Sequence, residues 1–222
     1  MTTIAELRAK VRSQTEQTSS ELADSTIDSY LQEAFNRTIA AENKWPFYEK
    51  AWELTLTAGE TAIAAPSDLN RTSILSFVQV GENPPVQSLR LVDYGTAEAL
   101  YGWSAPASFT PFYEYSIFGG YLYLWPVAQL ADDTEFVLRG YRLPTDWLSG
   151  PSTTEVDADE RLHLPIAHYA IALSYEKQEA YELGDKYMER WQRDVEAARN
   201  AIMEPVRRLP LVMGGGTRRA LL

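Results

Sequence analysis

The hydrophobic period of this chain changes twice. Apolar residues recur at steps of three and four near both ends, and at steps of two through the middle. Side chains three or four apart share one face of a helix; side chains two apart share one face of a strand. The pattern therefore predicts an α+β class: a helical bundle with an inserted, mainly antiparallel β unit and an extended C-terminal arm. The expected boundaries are residues 1–50 for the N-terminal helices and 51–150 for the β insertion with one short helix. Residues 151–205 supply the C-terminal helices, and 206–222 a flexible basic arm.

The first helix opens on Thr3 and Glu6, the spacing of a capping box, and places Ile4, Leu7 and Val11 on one face. Ser13 to Ser20 is polar and reads as a linker. Ser25 and Asp28 predict a second cap, followed by a stripe of Ile27, Tyr30, Leu31, Ala34, Phe35, Thr38 and Ile39. Pro46 ends that helix, because the residue before a proline is pushed out of the α region. Trp45 and Phe47 flank the break as a core plug.

Trp52, Leu54 and Leu56 alternate with polar residues as a half-buried strand, with Thr61 to Ala64 expected to return beside it as a hairpin partner. Ser73 to Val80 and Val86 to Leu89 predict strands, and Val92 to Leu100 a short helix. The strongest local signal is Tyr113 to Trp125. Tyr113, Tyr115 and Ile117 lead into Gly119-Gly120, and Tyr121, Tyr123 and Trp125 lead out. Glycine accepts the positive φ of a tight hairpin turn. These aromatics fill a sheet face or a subunit interface, or form a platform for sugar rings. Thr134 to Tyr141 is one more strand.

Pro165 suits the first turn of a further helix, with Gly184-Asp185 as a stop and restart. Tyr187, Trp191, Val195, Ala198 and Ile202 then mark one face of the last helix, which Pro205 is expected to end. The bundle core is expected to draw on Tyr30, Leu31, Phe35, Trp45, Tyr187, Trp191 and Val195. The arm beyond holds Arg207, Arg208, Arg218 and Arg219, with Gly214-Gly215-Gly216 between the pairs and no acid.

Chemistry has little material here. There is no cysteine, which excludes disulfides, thiol nucleophiles and cysteine-held metals. His163 and His168 are five apart, on different sides of a helix, where a zinc pair needs a spacing of four. Asp157, Asp159 and Glu160 fit a helix N-terminus, where the dipole favours acid. No nucleophile elbow or phosphate loop is present, and no cofactor or metal is expected. A net charge of −11 repels phosphate, so specific DNA binding is not expected. No apolar run approaches the roughly 20 residues of a membrane span, and the N-terminus lacks a signal-peptide core. Synthesis in a cytoplasm is the expectation.

Five short motifs occur in an unusual order: Lys44-Trp45-Pro46-Phe47, Pro66-Ser67-Asp68-Leu69-Asn70-Arg71, Gly119-Gly120-Tyr121-Leu122-Tyr123-Leu124-Trp125-Pro126, Gly140-Tyr141-Arg142-Leu143-Pro144 and Leu164-Pro165-Ile166-Ala167-His168-Tyr169-Ala170. In that order they resemble bacteriophage head–tail connector proteins, or portal adaptors, which are related to the tubular neck proteins of short-tailed phages. The likeness spans roughly residues 20 to 200 and does not extend to the arm. It implies a non-enzymatic virion neck protein, made in the host cytoplasm. It implies a homo-oligomeric ring, dodecameric to match the portal, through which DNA passes during ejection without specific binding. The implied partners are the portal, a further neck or tail protein, and other copies of the chain.

From composition alone, the arm is expected to dock on the portal. Leu209, Leu211, Val212 and Met213 would be its apolar anchors, and Arg207, Arg208, Arg218 and Arg219 its charged contacts. Tyr113, Tyr115, Tyr121, Tyr123 and Trp125 are the candidate β interface. A carbohydrate-binding module on the aromatic hairpin, or a tail-associated glycosidase with paired carboxylates, is the competing reading.

Overall fold

A computed structural model describes residues 2–40, 44–80, 87–102, 112–126 and 133–207. Its helices are α1 (Ile4–Thr15), α2 (Asp24–Phe35), α3 (Tyr94–Tyr101), α4 (Glu160–Lys177) and α5 (Tyr181–Arg207). Its strands are β1 (Glu49–Leu56), β2 (Ala62–Ala64), β3 (Leu69–Val80), β4 (Gln87–Leu91), β5 (Glu114–Phe118), β6 (Tyr121–Trp125) and β7 (Thr134–Arg142). The fold is α+β, as the change of period predicts. The chain divides into two units, Met1–Thr38 with Pro151–Leu222, and Ile39–Gly150.

In the first unit α4 is the central helix and packs against α1, α2 and α5. Its Leu162, Ile166, Ala167, Ala170 and Ile171 are all fully buried. The predicted capping box on α1 is present. Thr3 Oγ1 accepts from the Glu6 amide at 3.3 Å, and the Glu6 carboxylate accepts from the Thr3 amide at 2.8 Å. The polar stretch after it is shorter than expected: α1 takes Ser13 to Thr15, and Glu21 closes a turn by accepting from the Thr18 amide at 2.7 Å.

The cap predicted from Ser25 and Asp28 does not form. Ala23 holds the N-cap position without a side-chain bond, and Asp28 instead receives Arg8 through two hydrogen bonds, of 2.8 and 2.6 Å. A bidentate charge-assisted pair outweighs a single neutral cap. After α2 the chain runs through a π-helical turn, Asn36–Ala40, that buries Thr38 and Ile39.

Three helix boundaries differ from expectation. α4 begins five residues before Pro165, at Glu160, because Asp159 caps it by accepting from the Arg161 amide at 3.0 Å. Pro165 then forfeits one interior hydrogen bond, which the burial of Leu162 and Ile166 offsets. The break between α4 and α5 falls at residues 178–180, where Glu179 takes a φ of +59°, and not at Gly184-Asp185. Gly184 lies in the first turn of α5 because the helices pass closely there: a Cβ would stand 3.2 Å from Glu176 Cγ and 3.4 Å from the Ala172 carbonyl. α5 also continues past Pro205 to Arg207, since a proline in the last turn removes only one bond.

The second unit is one seven-stranded sheet in the order β1-β7-β3-β4-β5-β6-β2, antiparallel except between β4 and β5. The edge strands β1 and β2 are consecutive in sequence and approach each other, so the sheet curls around one core. Phe77 sits at its centre, edge-on to Tyr115 at 5.0 Å and beside Phe136 at 5.3 Å.

Thr61 to Ala64 does not return along β1. The turn forms, with the Glu60 amide donating to the Thr57 carbonyl, but β2 pairs with β6, Ile63 opposite Leu122. That places Ile63 in the common core beside Leu122. β3 starts four residues earlier than predicted, because bulges between Leu69 and Ser76 carry it past β7. The bulge presses on Gly140, where a Cβ would stand 3.1 Å from the Ser73 carbonyl. The predicted β5–β6 hairpin turns on Gly119 and Gly120, at φ +58° and +92°. Asp93 caps α3 through the Thr96 amide at 3.0 Å, and α3 covers the outer side of the hairpin at Ala97 and Trp125.

Candidate functional site

Among the described residues no catalytic constellation is present, so the candidate sites are surfaces. In the bundle, Leu31 and Phe35 of α2 are buried, and Tyr30 is half-buried. Tyr187 of α5 is buried, stacks on Tyr175 at 5.6 Å and donates to Gln14 Oε1 at 2.7 Å. Trp191 and Val195 are half-buried. The Trp191 ring stands edge-on to Tyr169 at 4.9 Å, and its Nε1–H donates to Thr38 Oγ1 at 3.1 Å. Tyr169 in turn donates to Glu33 Oε1 at 2.9 Å. Burial, reinforced by that carboxylate, pushes the Tyr169 phenol up to about 12. Trp45 is fully buried but belongs to the second unit, where it stacks on Phe47 at 5.6 Å and donates to the Ile39 carbonyl.

The hairpin aromatics divide between the two sides of the sheet. Tyr115 points into the core, and burial pushes its phenol up to about 12. Trp125 is fully buried under α3 and donates to Ser116 Oγ at 2.8 Å. Tyr113 and Tyr121 are exposed, and Tyr123 is half-buried. Only these last three are available to a partner.

Two features of this side carry no sequence signal of their own. Phe118 is exposed at the hairpin tip and stacks on Tyr94 of α3 at 4.6 Å. Tyr94 meets Tyr123 and Trp125 edge-on, which joins the exposed tip to the buried end in one aromatic array. Glu114 is buried, paired with Arg90 and accepting from Tyr101 at 3.0 Å. By alternation Glu114 and Ser116 look like the wet side of a strand; only the docking of α3 buries them.

The two histidines are separated, as their spacing predicts. His163 Nε2 lies 3.1 Å from the Ala158 carbonyl, and His168 Nδ1 lies 3.1 Å from Asp194 Oδ2. Burial holds both imidazoles below their ordinary range; in His168 it outweighs the opposing pull of Asp194. Asp159 acts as a helix cap, and Asp133 accepts from the Ala58 amide. Among the described residues no group of three or more His, Asp or Glu is placed to hold a metal ion. No described helix is long and apolar enough to cross a membrane. The arm residues Arg208, Leu209, Leu211, Val212, Met213, Arg218 and Arg219 lie outside the described residues, and Arg207 is the last residue of α5.

No curated protein matches the chain. A family model does, that of the SU10 adaptor protein, over residues 2–218. The match takes in both units and most of the arm, a wider span than the motif resemblance. It agrees with an α+β chain whose candidate sites are surfaces and buried polar joints. The family is a structural one and not an enzyme family. This chain belongs to the SU10 adaptor family, bacteriophage head–tail adaptors, and is a structural component of a virion.

Proposed function

We propose that the protein forms a homo-oligomeric ring, dodecameric to match the portal, between the portal and the rest of the neck or tail. The genome passes through this ring on ejection. The observation that carries the reading is the family match over residues 2–218. Charge supports the passage: both units hold more acid than base, and an acidic lining lets a polyanion slide without gripping it. The chain is made in the host cytoplasm and acts in the virion neck.

The arm, residues 206–222, is the portal-docking element. Its four arginines, absence of acid and central apolar run suit an acidic, partly apolar groove. Imaging the chain mixed with its cognate portal tests the ring: a ring coaxial with the portal is expected, and scattered single subunits would overturn it. Removing residues 206–222 tests the arm. The truncated chain should fold with unchanged thermal stability and lose portal binding. Undiminished affinity after truncation would move the docking surface elsewhere.

A further inference from the structure

We propose that the tip of the β5–β6 hairpin is the knob of the subunit–subunit contact, and that it inserts into a notch on α5 of a second copy. The inference rests on the ring reading and says which surfaces make the ring. A ring needs two different, complementary patches on every subunit, because the contact is head-to-tail. The two units of this chain each offer one.

The knob is rigid and aromatic. Phe118 is 57% exposed and Tyr121 48%, either side of a two-glycine turn with both φ values positive. Two such glycines match the twist of the flanking strands, so the turn holds its rings in place without a flexible loop. Stacking of Phe118 on Tyr94 fixes one ring further. The Arg71 guanidinium lies against the turn, 3.6 Å from where a Cβ on Gly120 would be, and forms no ion pair among the described residues. Preorganised aromatic and Arg groups are what protein contact centres favour.

The notch lies along α5 and measures about 300 Å³, with Trp191 and Val195 as its apolar floor. A dry cavity of roughly 150 Å³ already holds a benzene ring, so the notch has room for one aromatic side chain. Glu196 stands on its rim and forms no ion pair among the described residues, whereas Arg199 on the same rim already has a partner. The knob thus brings aromatic surface and a cation with no ion pair among the described residues; the notch offers an apolar floor and a carboxylate of which the same holds.

The absence of cysteine makes the test direct. The full-length Tyr121→Cys/Gln192→Cys variant, oxidised under conditions where the chain assembles, with portal present if assembly needs it, should give a ladder of covalent multimers. Either single variant should give nothing beyond a dimer. In parallel, Arg71→Glu and Glu196→Arg should each weaken assembly by about tenfold, and the two combined should restore it. Normal assembly without a ladder, a ladder that stops at dimer, or a bond closed within one chain would overturn the proposal and leave the ring reading intact. A wild-type chain that stays monomeric with portal in excess would overturn both.

Discussion

Trp191 joins three elements through one side chain. It meets Tyr169 of α4 edge-on and Thr38 of the π turn by a hydrogen bond, while part of its ring stays open to the notch. Trp191→Ala should therefore lose about 2 kcal/mol, less than the 3–5 typical of a fully buried tryptophan. Thermal unfolding measures this, and an unchanged midpoint would mean the ring is not packed on Tyr169. The histidines give the bundle a pH dependence. Both have folded pKa values below the ordinary 6.5, so the unfolded chain binds more protons as pH falls. Stability is thus fully present above about pH 6.5, and is lost as pH falls through that value toward the lower folded ones. Unfolding midpoints between pH 7.5 and 5 should fall. A His163→Gln/His168→Gln variant should flatten that slope.

Elements whose signals are local were legible in the sequence. The capping box at Thr3 and Glu6 and the two-glycine hairpin each depend on neighbours within a few residues. What escaped depends on tertiary contact. Gly184 resembles a helix stop, yet it marks a close approach of α4 and α5. Thr61 to Ala64 carries the local pattern of a hairpin return along β1, but the inward side chain of Ile63 selects β6. Glu114 carries the alternation of a solvated face and is buried only because α3 docks there. The candidate surfaces were legible in part, since Tyr121 was visible while exposed Phe118 and the notch beside Trp191 were not. A comparison of glycines tests the tertiary origin. Gly140→Ala puts a Cβ against the Ser73 carbonyl and the Ile74 backbone, which cannot give way, and should cost about 2 kcal/mol. Gly184→Ala first meets the flexible Glu176 side chain, and should cost less than half as much. Equal losses in thermal or denaturant unfolding would contradict that account of the two sites.

At the scale of the whole molecule, charge and family point the same way. The chain carries −11, and its last 16 residues hold four arginines and no acid, so all of the repulsion toward DNA arises in residues 1–206. Such a body suits a passage for a polyanion better than a clamp on it, and DNA should bind it weakly and without sequence preference at physiological salt. Electrophoretic mobility of duplex DNA mixed with the chain checks this, and a salt-resistant, sequence-selective shift would contradict it. The central claim is that the adaptor assembles as a ring on the portal. Mass measurement of the 25.1 kDa chain, alone and with its cognate portal in excess, tests it most directly. A discrete complex whose added mass equals a closed ring of chains is the predicted result. A population that remains monomeric in both samples would contradict it.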